Sequence, residues 1–351
     1  MRRAPAFLRV IAIVFVAVAV VLPFALRAFA GQREVYWLYV VSQFFTLAMV
    51  AVALDLLMGR TGQISLGHNG FFAVGAYTAA ILSSRYGVDL LAAMALAGLA
   101  SAIASLVLGF PAARLRGHYL GIVTFGFGVA IDQVALKWDA LTGGDQGLHL
   151  KKATLAGIPV GSPFALYFIT LAVLVAAVFL VRNLTHTRIG RSFAAVRDSE
   201  VAAAAMVVPI ARTKVVAFVC SAFLTGVAGS LYAFLAGFIA PEDFGTTQAM
   251  LFLAMVVIGG SASIPGAIGG ALVVDTVNQA ASTVSGLSLA ILGGVIVAVT
   301  LFFPLGIKGL IARLTNEDDG APEGSRSGAK PVAAPAPERP IARALEKVGT
   351  D

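Results

Sequence analysis

The segment NLTHTRIGRSFAAVRDSEVAAAAMVVPIARTK, residues 183–214, is the longest polar interruption in an otherwise hydrophobic sequence. Apolar runs long enough to cross a bilayer lie on both sides of it. Basic loops between membrane spans lie in the cytoplasm by the positive-inside rule. The sequence therefore predicts a cytoplasmic loop at 183–214, which carries Arg188, Arg191, Arg197, Arg212 and Lys214 against Asp198 and Glu200.

The middle of this loop predicts one short helix, from Ser199 to Met206. Glu200 stands near its start, where a carboxylate complements the helix dipole. Pro209 follows it, and proline cannot continue a helix because it lacks an N–H. A short helix held between two spans is suited to docking a cytoplasmic partner.

The composition excludes a soluble protein. The chain has 351 residues, of which 59% are hydrophobic and 12% charged, whereas soluble domains average about 25% charged. The apolar runs are continuous and do not alternate, which argues against a membrane β-barrel. We predict an all-α, polytopic membrane helix bundle with about ten membrane segments, some short or broken. The net charge of +7 fits basic cytoplasmic loops and does not indicate nucleic-acid binding.

The predicted segments follow the apolar runs. The first is interpreted as a retained span, because its apolar stretch is longer than the roughly 7–15 residues of a signal-peptide core; a cleaved signal ending at Ala30 is the alternative. The segments are 7–30, 36–58, 62–82 with an unwound start, 90–110, 115–136, 163–181, 215–238, the short pair 250–260 and 265–281, and 287–303.

The basic residues also predict an orientation. If Arg2 and Arg3 are cytoplasmic, then Arg60, the loop at 183–214 and Lys308 fall on the same side. This places both termini in the cytoplasm of a bacterial cell, with the chain in the inner membrane. Residues 1–314 form the predicted membrane domain, and residues 315–351, which are rich in Pro, Ala, Gly and charge, form a predicted disordered cytoplasmic tail.

Polar residues inside apolar runs are the candidates for a transport pathway. The run GQISLGHNGFFAVGAYTAAIL, residues 62–82, is too polar to face lipid. Its glycines have a second interpretation, which is close helix packing. Asp55 and Asp132 are predicted near the ends of their spans, where an interfacial position explains them. The candidate pathway residues are Gly62, Gln63, Ser65, His68 and Asn69, together with Asp275 and Asn278, which share one helix face with Gln279. A structural hydrogen-bonding role is the alternative for His68, and helix contact is the alternative for the Asp275 cluster.

No motif in the sequence indicates catalysis. Nucleotide-binding lysine motifs, nucleophile elbows and metal-ligand spacings are absent from the sequence. We therefore expect no enzymatic activity, no cofactor and no metal.

Several blocks of the sequence occur in the order found in one transporter family. The sequence resembles the permease of branched-chain amino-acid ABC transporters of the LivM type, a resemblance that extends from about Arg60 to Pro304. The blocks are GQISLGHNGFFAVGAYTAA at 62–80, LRGHYLGIVTFGFG at 115–128, TGGDQGL at 142–148, residues 190–233, which include most of the polar loop and the apolar run after it, and MLFLAMVVIGGSASIPGAIGGA at 250–271.

The resemblance implies the function and the partners. In importers of this class, a short cytoplasmic helix fits a groove in each of two ATP-binding subunits, which hold the ATP. A second homologous permease and a periplasmic substrate-binding protein complete the implied assembly, with lipid around it. Leucine, isoleucine and valine are the default cargo. The implied docking residues are Arg191, Arg197, Glu200, Ala202, Ala203 and Met206.

The sequence is also compatible with other functions. Relatives import urea, short amides or other small amino acids, and a self-sufficient secondary transporter is a different class. The sequence also departs from the family where glycine is usual, at Val207 and Ala262. The chain is therefore expected to leave the docking helix by a different turn.

Overall fold

The architecture is that of a computed structural model, which describes residues 6–29, 31–112, 118–155 and 157–282, together with 293, 294, 307 and 309. The described part is mainly helical, as the sequence predicts. Its helices are α1 (Ala6–Phe29), α2 (Glu34–Leu54), α3 (His68–Tyr86), α4 (Leu90–Ala112), α5 (His118–Lys137), α6 (Asp139–Thr142), α7 (Pro163–His186), α8 (Arg188–Asp198), α9 (Glu200–Ala205), α10 (Ile210–Ala236), α11 (Thr246–Gly259) and α12 (Ile264–Ser282).

Short elements complete the described chain. A π-helical turn, Asp55–Gly59, extends α2, and 3-10 turns lie at Gly31–Arg33, Gly144–Gln146 and Pro241–Phe244. Two small antiparallel pairs lie between the helices: β1 (Leu148–His149) pairs with β4 (Phe238–Ile239), and β2 (Thr154–Leu155) pairs with β3 (Ile158–Pro159).

Within the described residues, five helices are long and apolar enough to cross a membrane. They are α2 with its π-helical turn, α4, α5, α7 and α10. Helix α3 has 19 residues but begins only at His68, so the predicted unwound start of the span 62–82 is confirmed, and it covers residues 62–67. The predicted broken pair is also confirmed, as α11 and α12. The count of ten stays a prediction, because the last span (287–303) and the tail (315–351) lie outside the described residues, apart from the isolated positions.

Helix α10 lies at the centre and packs against α2, α3 and α4. One close approach joins Gly75 of α3 to Gly226 of α10, where a Cβ added to Gly75 would collide with the Gly226 carbonyl oxygen. Small residues let membrane helices come this close. In the same way, a Cβ added to Gly67 would collide with the Thr124 carbonyl oxygen of α5. The packing interpretation of these glycines is therefore supported.

Apolar side chains also cover the outside of the bundle. Ile103 and Val107 of α4 and Phe179 of α7 are largely exposed. Such surfaces are stable only against lipid or another membrane subunit.

Candidate docking site and pathway

The region that was predicted as a loop contains two helices. Helices α7 and α10 extend into it from either side, so the segment between them is 187–209. We call residues 187–209 the docking segment. Arg191 and Arg197 lie on α8, whereas Glu200, Ala202 and Ala203 lie on α9 and Met206 is its C-terminal cap. The predicted single short helix is α9; α8 was missed.

Hydroxyl side chains cap the N-termini of α8 and α9. Thr187 Oγ1 accepts a hydrogen bond from the Gly190 N–H at 3.4 Å, and Ser199 Oγ accepts one from the Ala202 N–H at 3.2 Å. Serine and threonine at this position satisfy N–H groups that the helix leaves unpaired. Helix α8 buries Phe193 and Val196, three residues apart, beneath otherwise mostly exposed side chains. That spacing is the sequence signal by which α8 could have been found.

Helix α9 ends in a left-handed turn at Val207. The Val207 N–H donates to the Ala204 carbonyl and the Val208 N–H to the Ala203 carbonyl, both at 3.0 Å. This pair of hydrogen bonds is the Schellman motif, which usually has glycine at the left-handed position. Val207 has φ of 58°, so the expectation of a different turn is wrong: valine adopts the conformation that glycine would. Ala262 repeats this in the α11–α12 turn, with φ of 60°.

The exposed surface of α9 is apolar. Val201 is 76% exposed, Met206 78% and Val207 88%. Ala202 is also exposed, whereas Ala203 is only 3% exposed and faces the bundle. In this conformation Ala203 therefore does not belong to the outward surface with the other predicted docking residues. Val201 and Val207 enlarge that surface, and the sequence reasoning did not name them.

Glu200 points toward the bundle and meets a buried lysine. Its Oε1 lies 2.6 Å from Nζ of Lys214, a residue of α10 that is 4% exposed. The side chain of Gln63 donates to the Lys214 carbonyl at 3.3 Å and to Thr61 Oγ1 at 2.9 Å. These contacts connect α9, the start of α10 and the α2–α3 connection.

A second contact joins the same connection to α8. Gly62 adopts a positive φ of 69°, and a Cβ added there would lie 3.5 Å from Cγ of Arg197. Gly62 and Gln63, which were predicted to line a pathway, therefore lie at the end of the bundle beside the docking segment.

His68 forms a buried hydrogen-bond chain across three helices. Ser221 Oγ donates to the Ala53 carbonyl at 2.5 Å, so it accepts from His68 Nε2 at 2.8 Å. The other ring nitrogen, Nδ1, then accepts from Ser65 Oγ at 2.9 Å. Each of these side chains is at most 2% exposed. The chain of bonds ties α3 and α10 to α2, which is a structural role.

Asn69 is buried next to this chain. Its Nδ2 donates to the Phe244 carbonyl at 2.9 Å, and its Oδ1 abuts Gly128. Among the described residues this Oδ1 has no hydrogen-bond partner. None of residues 62–69 is among those that line the small cavity at Asp275 or the larger cleft at Tyr36.

The remaining two candidates do line a cavity. Asp275 and Asn278 face a small cavity of about 40 Å³ between α2, α10, α11 and α12. A larger cleft, of about 640 Å³, opens where α2 and α7 begin and α10 ends. Tyr36 lines that cleft and accepts a 3.3 Å hydrogen bond from Gln279 Nε2 of α12.

Asp55 is fully buried, although the sequence suggested an interfacial position. Its carboxylate accepts the Ser263 N–H at 3.3 Å and lies 3.4 Å from Nε of Arg60. Ser263 immediately precedes α12, and a carboxylate at the N-terminus of a helix is stabilised by the helix dipole. Asp55 therefore fixes the α11–α12 turn to the end of α2.

Comparison with known proteins gives this arrangement a family. The family model described as "Branched-chain amino acid transport system / permease component" matches residues 36–303. The chain belongs to this family. The match includes all but the first two residues of α2, all of α3 to α12 with the docking segment, and every cavity-lining residue except Val35.

Two permeases illustrate the relationship. The chain is 33% identical over 283 residues to the high-affinity branched-chain amino acid transport system permease protein LivM of Salmonella typhimurium, covering 74% of this chain and 67% of that protein. It is 31% identical over 325 residues to the protein of the same name from Escherichia coli, covering 84% and 76%. No solved structure matches. Family and fold together identify a multi-pass membrane transport subunit.

Proposed function

We propose that this permease translocates branched-chain amino acids across the bacterial inner membrane by alternating access, driven by separate ATP-binding subunits. The observation that carries the proposal is the exposed apolar surface of α9, which is joined to the bundle through Glu200 and Lys214. The docking segment lies in the cytoplasm with both termini, as the basic residues indicate.

Each of two ATP-binding subunits receives one docking segment, one from this chain and one from a second homologous permease. Val201, Ala202, Met206 and Val207 enter the groove of the ATPase as small or flexible apolar contacts. Exposed apolar surface of this kind is stabilised by burial against a partner. Arg191 on α8 is exposed and supplies charge at the edge of that contact.

Movement of the docking segment reaches the membrane through residues 61–63. Arg197 packs against Gly62, and Gln63 holds the backbone of Lys214. The α2–α3 connection leads directly into the His68 hydrogen-bond chain. A displacement of α8 and α9 therefore acts on α2, α3 and α10 together.

The chain performs no chemistry of its own under this proposal. ATP is bound and hydrolysed by the partner subunits, and the chain holds no metal or cofactor. A periplasmic binding protein delivers the cargo to the side opposite the docking segment. Leucine, isoleucine and valine follow from the names of both relatives, and urea, short amides or other small amino acids are the alternative cargo.

Co-purification tests the docking step. The full-length chain is expressed with candidate ATPase subunits, and Val201→Asp is compared with Ile158→Asp. Val201 is 76% exposed and Ile158 is 65% exposed, but the two residues lie beyond opposite ends of α7. We expect the ATPase to be lost only with Val201→Asp. Equal retention by both variants would refute docking through α9, and transport without any ATPase would favour a secondary transporter.

Reconstitution tests the cargo. ATPase activity of the assembled complex in nanodiscs is measured with a leucine-binding periplasmic protein, loaded or unloaded. Stimulation by the leucine-loaded protein is expected. Stimulation only by a binding protein for urea or amides would change the cargo and leave the ATP-driven class in place.

A further inference from the structure

The cavity beside Asp275 lies near the middle of the membrane. Asp275 lies eleven residues after the start of α12 and Gln43 nine residues after the start of α2, which puts them about 17 and 14 Å from the N-termini of their helices at 1.5 Å per residue. A bilayer core is about 30 Å thick. The cavity therefore lies at the depth of the hydrocarbon core.

Oxygen-bearing side chains surround this cavity on four helices. Gln43, Tyr232, Gln248 and Asn278 face it together with the Asp275 carboxylate, and Leu47, Leu251, Met255 and Val274 complete its wall. Carboxylate and amide oxygens are ligands for hard cations. Among the residues that the structure describes, no basic residue lines the cavity.

Asp275 has no charge partner in the described part of the chain. The residue is 8% exposed, and within that part its carboxylate accepts no hydrogen bond and has no lysine, arginine or histidine within ion-pair distance. Asp55 differs, since it has both Arg60 and the Ser263 N–H. An unpaired carboxylate at membrane depth is costly, and such groups mark ion or substrate sites.

The size of the cavity limits what can enter. A volume of about 40 Å³ exceeds the roughly 10–15 Å³ that one water requires, but it is too small for a whole amino acid. One carboxylate balances one positive charge. We propose that this cavity binds a small inorganic monovalent cation, sodium, held by Asp275 and the amide oxygens of Gln43, Gln248 and Asn278.

Bound sodium would join three helices, because its ligands lie on α2, α11 and α12, and Tyr232 of α10 lies beside them. The site therefore stabilises the packing of the α11–α12 hairpin against α2. The proposal does not depend on the identity of the cargo or on ATP-driven transport.

Thermal unfolding tests the site. The full-length chain, with the subunits that copurify with it, is placed in lipid nanodiscs without cargo. Unfolding is followed in sodium, potassium and choline chloride at equal ionic strength. We expect a saturable increase in the unfolding temperature with sodium that choline does not produce, and saturable binding of radioactive sodium.

Two variants and one control sharpen the test. Asp275→Asn keeps the shape of the side chain and resembles a protonated carboxyl group; it should abolish the sodium-dependent shift and the radioactive binding. Gln248→Leu removes a ligand from the opposite wall and should weaken both if Asp275→Asn does not fold. Asp132→Asn changes a carboxylate on α5 that does not line the cavity and should leave both unchanged.

Three results would overturn the proposal. Identical unfolding in all three salts would show that no cation binds. An undiminished sodium shift in Asp275→Asn would place the ion elsewhere. A shift that appears in choline only when leucine is added would assign the cavity to the ammonium group of the cargo.

Discussion

Lys214 is almost completely buried at the start of α10, and its ammonium group lies 2.6 Å from the carboxylate of Glu200 on α9. Glu200 therefore faces the bundle and anchors the docking helix. This position changes the meaning of a substitution at Glu200, because it acts on the attachment of α9 before it acts on any partner.

Glu200→Arg is expected to abolish ATPase co-purification and transport. The substitution leaves Lys214 buried beside a like charge, and breaking a buried pair costs about 3–5 kcal/mol. Glu200 is partly exposed, so the lower part of that range applies. Pull-down yield and uptake in vesicles measure the effect. The exchanged pair Glu200→Lys with Lys214→Glu should recover part of both, and no loss in the single variant would show that the pair is dispensable.

Gly62→Val is expected to reduce transport while ATPase binding persists. Valine at a positive φ of 69° is strained by about 1–2 kcal/mol, and its side chain would press on Arg197. Gly87→Val is the matched control, since Gly87 has φ of 64° and no neighbouring atom within 4 Å. The ratio of cargo transported to ATP hydrolysed is measured for both. An equal ratio in the two variants would contradict a coupling role for Gly62.

Val207→Gly is expected to stabilise the protein. Glycine removes about 1–2 kcal/mol of left-handed strain from the folded state. Its greater conformational freedom in the unfolded chain lowers the free energy of unfolding by about 0.5–1 kcal/mol. The unfolding temperature in detergent should therefore rise slightly. Val208→Gly, at a position without positive φ, should lower it. Destabilisation by Val207→Gly would mean that the valine side chain makes contacts worth more than the strain.

Gly75→Ala is expected to destabilise the bundle. The new Cβ would meet the Gly226 carbonyl, and overpacking typically costs about 1–3 kcal/mol. Gly126→Ala is the control on α5, where no atom lies within 4 Å of the added carbon. Yield of monodisperse protein and unfolding temperature are compared. Tolerance of both alanines would show that α3 and α10 can separate without loss.

Deletion of residues 316–351 is expected to leave uptake unchanged. Their composition predicts disorder, and they lie outside the matched region 36–303. Uptake normalised to the amount of protein in the membrane is the measurement. A clear loss of uptake would give the tail a function.

The sequence predicted the helical membrane fold, the broken α11–α12 pair and the unwound start of α3, because long apolar runs and glycine-proline clusters report directly on the backbone. It missed α8, whose apolar spacing is confined to Phe193 and Val196 within a basic segment. It also separated residues 62–69 from the docking segment, although Gly62 touches Arg197.

The remaining differences between the sequence-based predictions and the structure concern which way side chains point and which residues they contact. Ala203 and Val201 lie two residues apart on α9, and one is buried while the other is exposed. A helix of six residues gives too short a pattern to define a face from the sequence. One partner of each of Gln63, His68 and Asp55 lies more than 150 residues away in the chain. Contacts at that separation depend on tertiary packing and leave no local pattern.

The bond between Asp55 and the Ser263 N–H spans 208 residues, and this separation has a consequence for biogenesis. The ribosome delivers Asp55 with α2 long before the α11–α12 turn exists. Because Asp55 lies next to the polar residues Arg60 and Thr61, its carboxylate can remain hydrated at the membrane surface during that interval. Insertion of the α11–α12 hairpin then withdraws it from water, so this hairpin completes a site that the second helix began.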